Sequence, residues 1–184
     1  MQTMMREFFS FGRELLKVVV VSLLIILPIR HFVVQPFFVR GESMEPSFYN
    51  GDYLIVDELS YHMRQAQRGE VVVFRFPDND SQYYIKRVIG LPNEKVEIQN
   101  GEVWVQGPTD VAPHKLGESY LNYGMMTSGA IRITLSANEV FVMGDNRVAS
   151  YDSRQWGTLP THYIVGRAWI RMWPLKDFEV ISLE

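Results

Sequence analysis

The chain has 184 residues, 47% hydrophobic and 21% charged, which is enough apolar material for one compact domain and too much for a disordered or low-complexity protein. A formal charge of −3 gives no broad basic surface, so a role confined to binding nucleic acid through its phosphates is set aside. The absence of cysteine removes disulfides, thiolate catalysis and Cys-based zinc or iron–sulfur sites, while leaving the compartment open, because a core of this size needs no covalent staple.

The first predicted element is the uncharged run Val18 to Ile29, behind Arg6, Arg13 and Lys17 and ahead of Arg30 and His31. As a helix it covers only about 18 Å of a hydrocarbon layer about 30 Å thick, so a membrane span must recruit flanking residues and run from about Leu15 to Val34, bent near Pro28. No small-x-small cleavage site follows, which favours an uncleaved signal-anchor over a removed signal peptide. The basic residues before the span weakly favour a cytoplasmic N-terminus, opposed by Arg30 and Arg40. Residues 1–35 are therefore read as a cytoplasmic tip and transmembrane signal-anchor, and 36–184 as an extracytoplasmic domain.

Beyond the anchor come short alternating or β-branched runs: Tyr53 to Val56, Val71 to Phe76, Tyr83 to Ile89, Lys95 to Ile98, Val103 to Val105, Ile131 to Leu135, Val140 to Met143 and Tyr163 to Trp173. Turn chemistry such as Asn50-Gly51, Asn100-Gly101 and Gly144-Asp145-Asn146 separates them, which predicts a mainly β, antiparallel domain with little helix. Tyr61 to Gly69 and Gly107 to Gly129 read as loops without assigned chemistry.

Histidines at 31, 62, 114 and 162 show neither i,i+4 spacing nor an HExxH motif, so no metal or other cofactor is expected. Three segments are richer in chemistry. Gly41-Glu42-Ser43-Met44-Glu45-Pro46-Ser47 places a serine close after the anchor; taken alone, this segment favours reading Ser43 as a turn serine bonded to its own backbone. In Tyr83 to Gly90, alternation sets Tyr84, Lys86 and Val88 on one face and Ile85, Arg87 and Ile89 on the other, both mainly apolar. Lys86 is then either a buried amine, neutral enough to act as a base, or an edge lysine reaching water. Gly144 to Arg154 gathers two acids, two arginines and two serines, as a solvated loop or as a functional one.

Taken in order behind an N-terminal anchor, the blocks Gly41 to Pro46, Gly51 to Val56, Lys86 to Pro92 and Gly144 to Arg154 resemble type I signal peptidases over nearly the whole chain. The resemblance implies a signal-peptidase-type β fold and a membrane-bound serine endopeptidase that removes signal peptides from exported preproteins. It makes Ser43 the nucleophile and Lys86 the general base. It also implies that Ser150 orients the Lys86 amine, and that Asp145 pairs with Arg87 and Asp152 with Arg154 to support the site. The Ser43 N–H becomes the main oxyanion donor; Gly41 stands where some members carry a second, serine donor. Phe37, Val39 and Ile85 match pocket walls that admit only small residues, giving an Ala-x-Ala rule. The implied partners are signal peptides and the lipid bilayer, with no nucleic acid or metal, and a monomer in the membrane. The alternatives are a self-cleaving Ser–Lys repressor-type peptidase and a non-catalytic membrane scaffold. The anchor and the Gly144 to Arg154 block oppose the first, and the retained Ser43 and Lys86 oppose the second.

Overall fold

The structure, a computed structural model, describes residues 11–24 and 34–182. Residues 11–24 form helix α1, whose Leu15, Leu16, Val18, Leu23 and Leu24 are exposed. Among the described residues no helix is long and apolar enough to cross a membrane. The middle of the expected span, residues 25–33, lies outside the described residues, and its expected last residue, Val34, instead opens a strand.

The strands are β1 (Val34–Phe38), β2 (Tyr53–Asp57), β3 (Val71–Phe76), β4 (Asn79–Gly90), β5 (Lys95–Gln99), β6 (Glu102–Gln106), β7 (His114–Lys115), β8 (Ile131–Thr134), β9 (Glu139–Met143), β10 (Leu159–Pro160), β11 (Ile164–Trp173) and β12 (Glu179–Val180). All their pairings are antiparallel. One sheet runs β1-β2-β11-β3-β4-β9-β10, with β12 added to β11, and a smaller one runs β7-β6-β5-β8. The domain is thus mainly antiparallel β. Asn100 and Gly101, both at positive φ, make the two-residue turn between β5 and β6, a conformation that Asn-Gly adopts with little strain.

Two expected loops contain structure. Asp57 accepts hydrogen bonds from the Ser60 N–H at 3.0 Å and hydroxyl at 2.6 Å, which opens the short helix α2 (Leu59–Met63). The stretch from Gly107 to Gly129 includes β7, too short and polar to announce itself in sequence.

The alternation of β4 divides the core. Val88 packs with Val72, Phe74, Val140, Val142 and Leu159, whereas Ile89 joins Val96, Ile98, Val103, Val105, Phe141 and Met143 beneath the smaller sheet. Val39, Met44, Phe48, Leu54, Val71 and Ala168 form a third cluster, which fixes the segment carrying Ser43. Complete burial of such side chains contributes roughly 1.5–3 kcal/mol each.

Candidate active site

The turn that carries Ser43 is tied down on both sides. Met44 and Phe48 are buried, the Gly41 N–H donates to Asn50 Oδ1 at 3.0 Å, and Arg171 donates to the Ser47 carbonyl. Ser43 itself is half-buried. Its carbonyl accepts the Asn146 N–H at 3.1 Å, while its own N–H is engaged by no group among the described residues. Gly41 has φ +86° and open space where a side chain would stand. A serine at that position would have the space but would be strained by the backbone, and glycine itself offers no side-chain donor there.

Strand β4 delivers Lys86 from the other side, paired across the ladder with Val72. Its amine donates to Ser43 Oγ at 2.7 Å and to the Ile85 carbonyl at 2.8 Å, with the Tyr84 ring centroid 5.7 Å away. Lys86 is 4% exposed. Burial lowers its pKa from 10.5 to about 8, against the opposing pull of the Asp152 and Asp145 carboxylates.

On the opposite face of β4, Arg87 spans Asp145 with two bonds, Nε to Oδ1 at 2.9 Å and Nη2 to Oδ2 at 2.7 Å. It also reaches Ser47 Oγ at 3.1 Å, so one guanidinium joins the serine turn, the lysine strand and the turn after β9. Asp152 receives Arg154 Nε at 2.8 Å and Nη2 at 2.9 Å. It also caps helix α3 (Ser153–Trp156). Burial alone would raise the Asp152 carboxyl, but Arg154, the Gly144 N–H and the nearby Ser150 hydroxyl hold it below the ordinary carboxylate range.

Ser150 is buried, but its hydroxyl makes no hydrogen bond of full geometry to Lys86 or to any other group. It lies close enough to the Asp152 carboxylate to help lower its pKa. It fills the space beside Gly144: a Cβ there would lie 2.6 Å from Ser150 Cβ and would overlap both Ser150 Oγ and the Ser43 carbonyl. Of the expected pocket walls, Val39 is buried and Ile85 packs on the Val39–Met44 cluster. Phe37 is half-buried against Tyr83, with ring centroids 5.3 Å apart. Among the described residues no group of three His, Asp or Glu could hold a metal ion.

Residues 12–173 match the family model described as signal peptidase, peptidase S26. The chain belongs to that family. It is 35% identical over 180 residues to a Synechocystis sp. protein named "Probable signal peptidase I-2", covering 92% of this chain and 77% of that one. It is 33% identical over 187 residues to the signal peptidase IB of Staphylococcus aureus, covering 91% and 94%. A crystal structure of a signal peptidase I from Enterococcus faecalis aligns with 56% of this chain and 97% of its own, at 27% identity and a TM-score of 0.47. As a member of the family this chain is a serine endopeptidase, a hydrolase.

Several contacts had no signal in the sequence. Asn146 donates to both the Ser43 carbonyl and, at 3.2 Å, the Glu42 carbonyl. Arg147 is buried against Glu118, Tyr120 and Thr127, residues of the stretch to which no chemistry was assigned. Turn composition marks Gly144 to Arg154 as rich in hydrogen-bonding groups, but not their distant partners.

Proposed function

We propose that this chain removes N-terminal signal peptides from exported preproteins at a membrane surface, with Ser43 as nucleophile and Lys86 as general base. The observation that carries the reading is the 2.7 Å contact between the Lys86 amine and Ser43 Oγ, made by a lysine whose burial brings its pKa to about 8. An amine so placed is neutral in a useful fraction of molecules near neutral pH and can take the serine proton as Oγ attacks the scissile carbonyl. The free Ser43 N–H stabilises the developing oxyanion. The Lys86 ammonium then returns its proton to the leaving amine, and water attacking the acyl-enzyme regenerates Ser43 by the same route.

The bulk of Phe37, Val39 and Ile85 supports a preference for alanine-sized side chains before the scissile bond. Helix α1, apolar on all sides beyond Lys17, with its valines and leucines exposed, supports a single membrane anchor within residues 1–35. The catalytic domain then lies outside the cytoplasm as a monomer, without a metal or cofactor. Ser150, Arg87, Asp145, Asp152 and Arg154 are positioning residues in this scheme.

The test is cleavage of a synthetic preprotein peptide with an Ala-x-Ala site by the full chain in detergent. Wild type should cut once, after the second alanine, and Ser43→Ala should lose at least a thousandfold in kcat/KM. Cleavage by Ser43→Ala at more than a tenth of the wild-type rate would remove Ser43 from the mechanism, and an inactive wild type would favour the scaffold.

A further inference from the structure

Arg147 is 1% exposed, among the largest fully buried side chains, and takes no part in the chemistry proposed above. Its Nε donates to the Gly144 carbonyl at 3.1 Å. One Nη donates to Thr127 Oγ1 and the other to Glu118 Oε1. The Tyr120 hydroxyl accepts from the second Nη at 3.3 Å and donates to Glu118 Oε1 at 3.0 Å. Glu118, Tyr120 and Thr127 all lie between β7 and β8. This segment is fastened to the smaller sheet by Leu116 N–H to Val103 O at 2.8 Å and Thr127 N–H to Gly101 O at 2.9 Å.

A buried guanidinium requires a counter-ion. Asp145 and Asp152 are occupied by Arg87 and Arg154, which leaves Glu118 as the carboxylate paired with Arg147. The Gly144 carbonyl gripped by Arg147 belongs to the residue against which Ser150 Oγ and the Ser43 carbonyl are packed. Two residues further on, the Asn146 N–H holds that same Ser43 carbonyl. Without its anion, Arg147 would have to move toward water and would draw the Gly144 peptide with it.

We infer that Glu118 is a positioning residue of the hydrolytic site: through Arg147 it holds the Gly144 carbonyl, and with it Ser150 and the Ser43 main chain, where Lys86 meets Ser43. The smaller sheet thus acts on catalysis from a segment that contains none of the reacting groups. This rests on the Ser43–Lys86 reading, which the comparison of wild type with Ser43→Ala tests separately.

The experiment compares Glu118→Gln, Tyr120→Phe and, as a control on the neighbouring strand β6, Glu102→Gln, which breaks an exposed pair with Lys115. Each full-length variant is assayed for kcat, KM, the pH profile of peptide cleavage and Tm. Glu118→Gln should lower kcat about tenfold or more with KM within twofold. Its rising pH limb should move to higher pH, because a displaced turn admits water to Lys86, which is otherwise faced by Tyr84, Ser43 and the more distant Asp145 and Asp152 carboxylates. Tyr120→Phe, which keeps the ring over Arg87, should show a smaller change of the same kind, and Glu102→Gln none. If Glu118→Gln lowers Tm but leaves kcat and the pH limb unchanged, its role is purely structural and the inference is overturned. If Glu118→Gln does not fold, Tyr120→Phe decides by the same readouts.

Discussion

Replacing Lys86 by Met should abolish cleavage and, at neutral pH, relieve the fold of a cost. The wild-type amine is drawn from 10.5 to about 8 by burial, which corresponds to about 3 kcal/mol of native-state stability. Below about pH 8 the amine is protonated in both the folded and the unfolded chain, so the native state bears the whole cost. Between about 8 and 10.5 the folded amine is neutral while the unfolded one still holds its proton, so wild-type stability rises with pH. Above 10.5 the cost is gone. Methionine is never charged and has nearly the same length, but it forfeits the bonds to Ser43 and Ile85, about 1 kcal/mol each. Those losses act at every pH, so the decisive quantity is the change in the stability gap between variant and wild type. The gap should move by about 3 kcal/mol in favour of wild type between pH 7 and 10.5, or roughly 6–12 °C in the difference of their Tm values. Paired thermal melts of the full chains in detergent measure it, and subtraction cancels the other titrating groups. A gap constant to within about 0.5 kcal/mol over that range would mean that Lys86 is solvated, and the argument for it as a neutral base would fail.

Ser43→Ala and Lys86→Met combined should cost little more in kcat/KM than either alone, because the two side chains act in one proton transfer; additive losses would show that they act separately. Gly144→Ala should reduce kcat/KM by about a hundredfold, since its methyl overlaps Ser150 Oγ and the Ser43 carbonyl; near-normal cleavage would show that the turn yields freely. Asp145→Asn removes the carboxylate that holds the buried Arg87 guanidinium by two bonds, and a destabilisation of about 3 kcal/mol, read by denaturant titration, is expected; a change under about 1 kcal/mol would show that the other contacts of Arg87 compensate.

The strands were legible because their signal is local. β3 reads VVVFRF and is buried along most of its length, and β2 reads YLIVD, so the short, β-branched apolar runs were visible before any contact was known. The Asn100-Gly101 turn was legible for the same reason. The segments that became the site were also visible, as a serine turn, a lysine within an apolar strand and a polar turn. Their convergence was not, because Ser43, Lys86 and Asp145 meet through long-range pairing, and no periodicity encodes the distance between Ser43 and Lys86. The expected bond from Ser150 to the Lys86 amine is not formed, since Ser150 packs on Gly144 instead. Glu118 was illegible because a single carboxylate in a polar loop looks like any solvated charge until its buried partner is known. The start of β1 at Val34 was hidden by hydropathy, which does not distinguish the end of an apolar span from the beginning of an apolar strand.

Strands β4 and β9 are partners in the larger sheet, yet residues 91–138, including the whole smaller sheet, lie between them. Closing so long a loop adds little to the equilibrium cost of folding, since that cost grows only logarithmically with length. It weighs more on the order of events, because distant pairings are late ones. Lys86 precedes this excursion and the Gly144 to Arg154 turn follows it, so the two come into register only when the intervening polypeptide has compacted. An incompletely folded chain therefore holds its serine and its lysine without the turn that aligns them. In the scheme proposed above, hydrolytic competence is therefore expected to arise late in folding, after the long connection between β4 and β9 has closed.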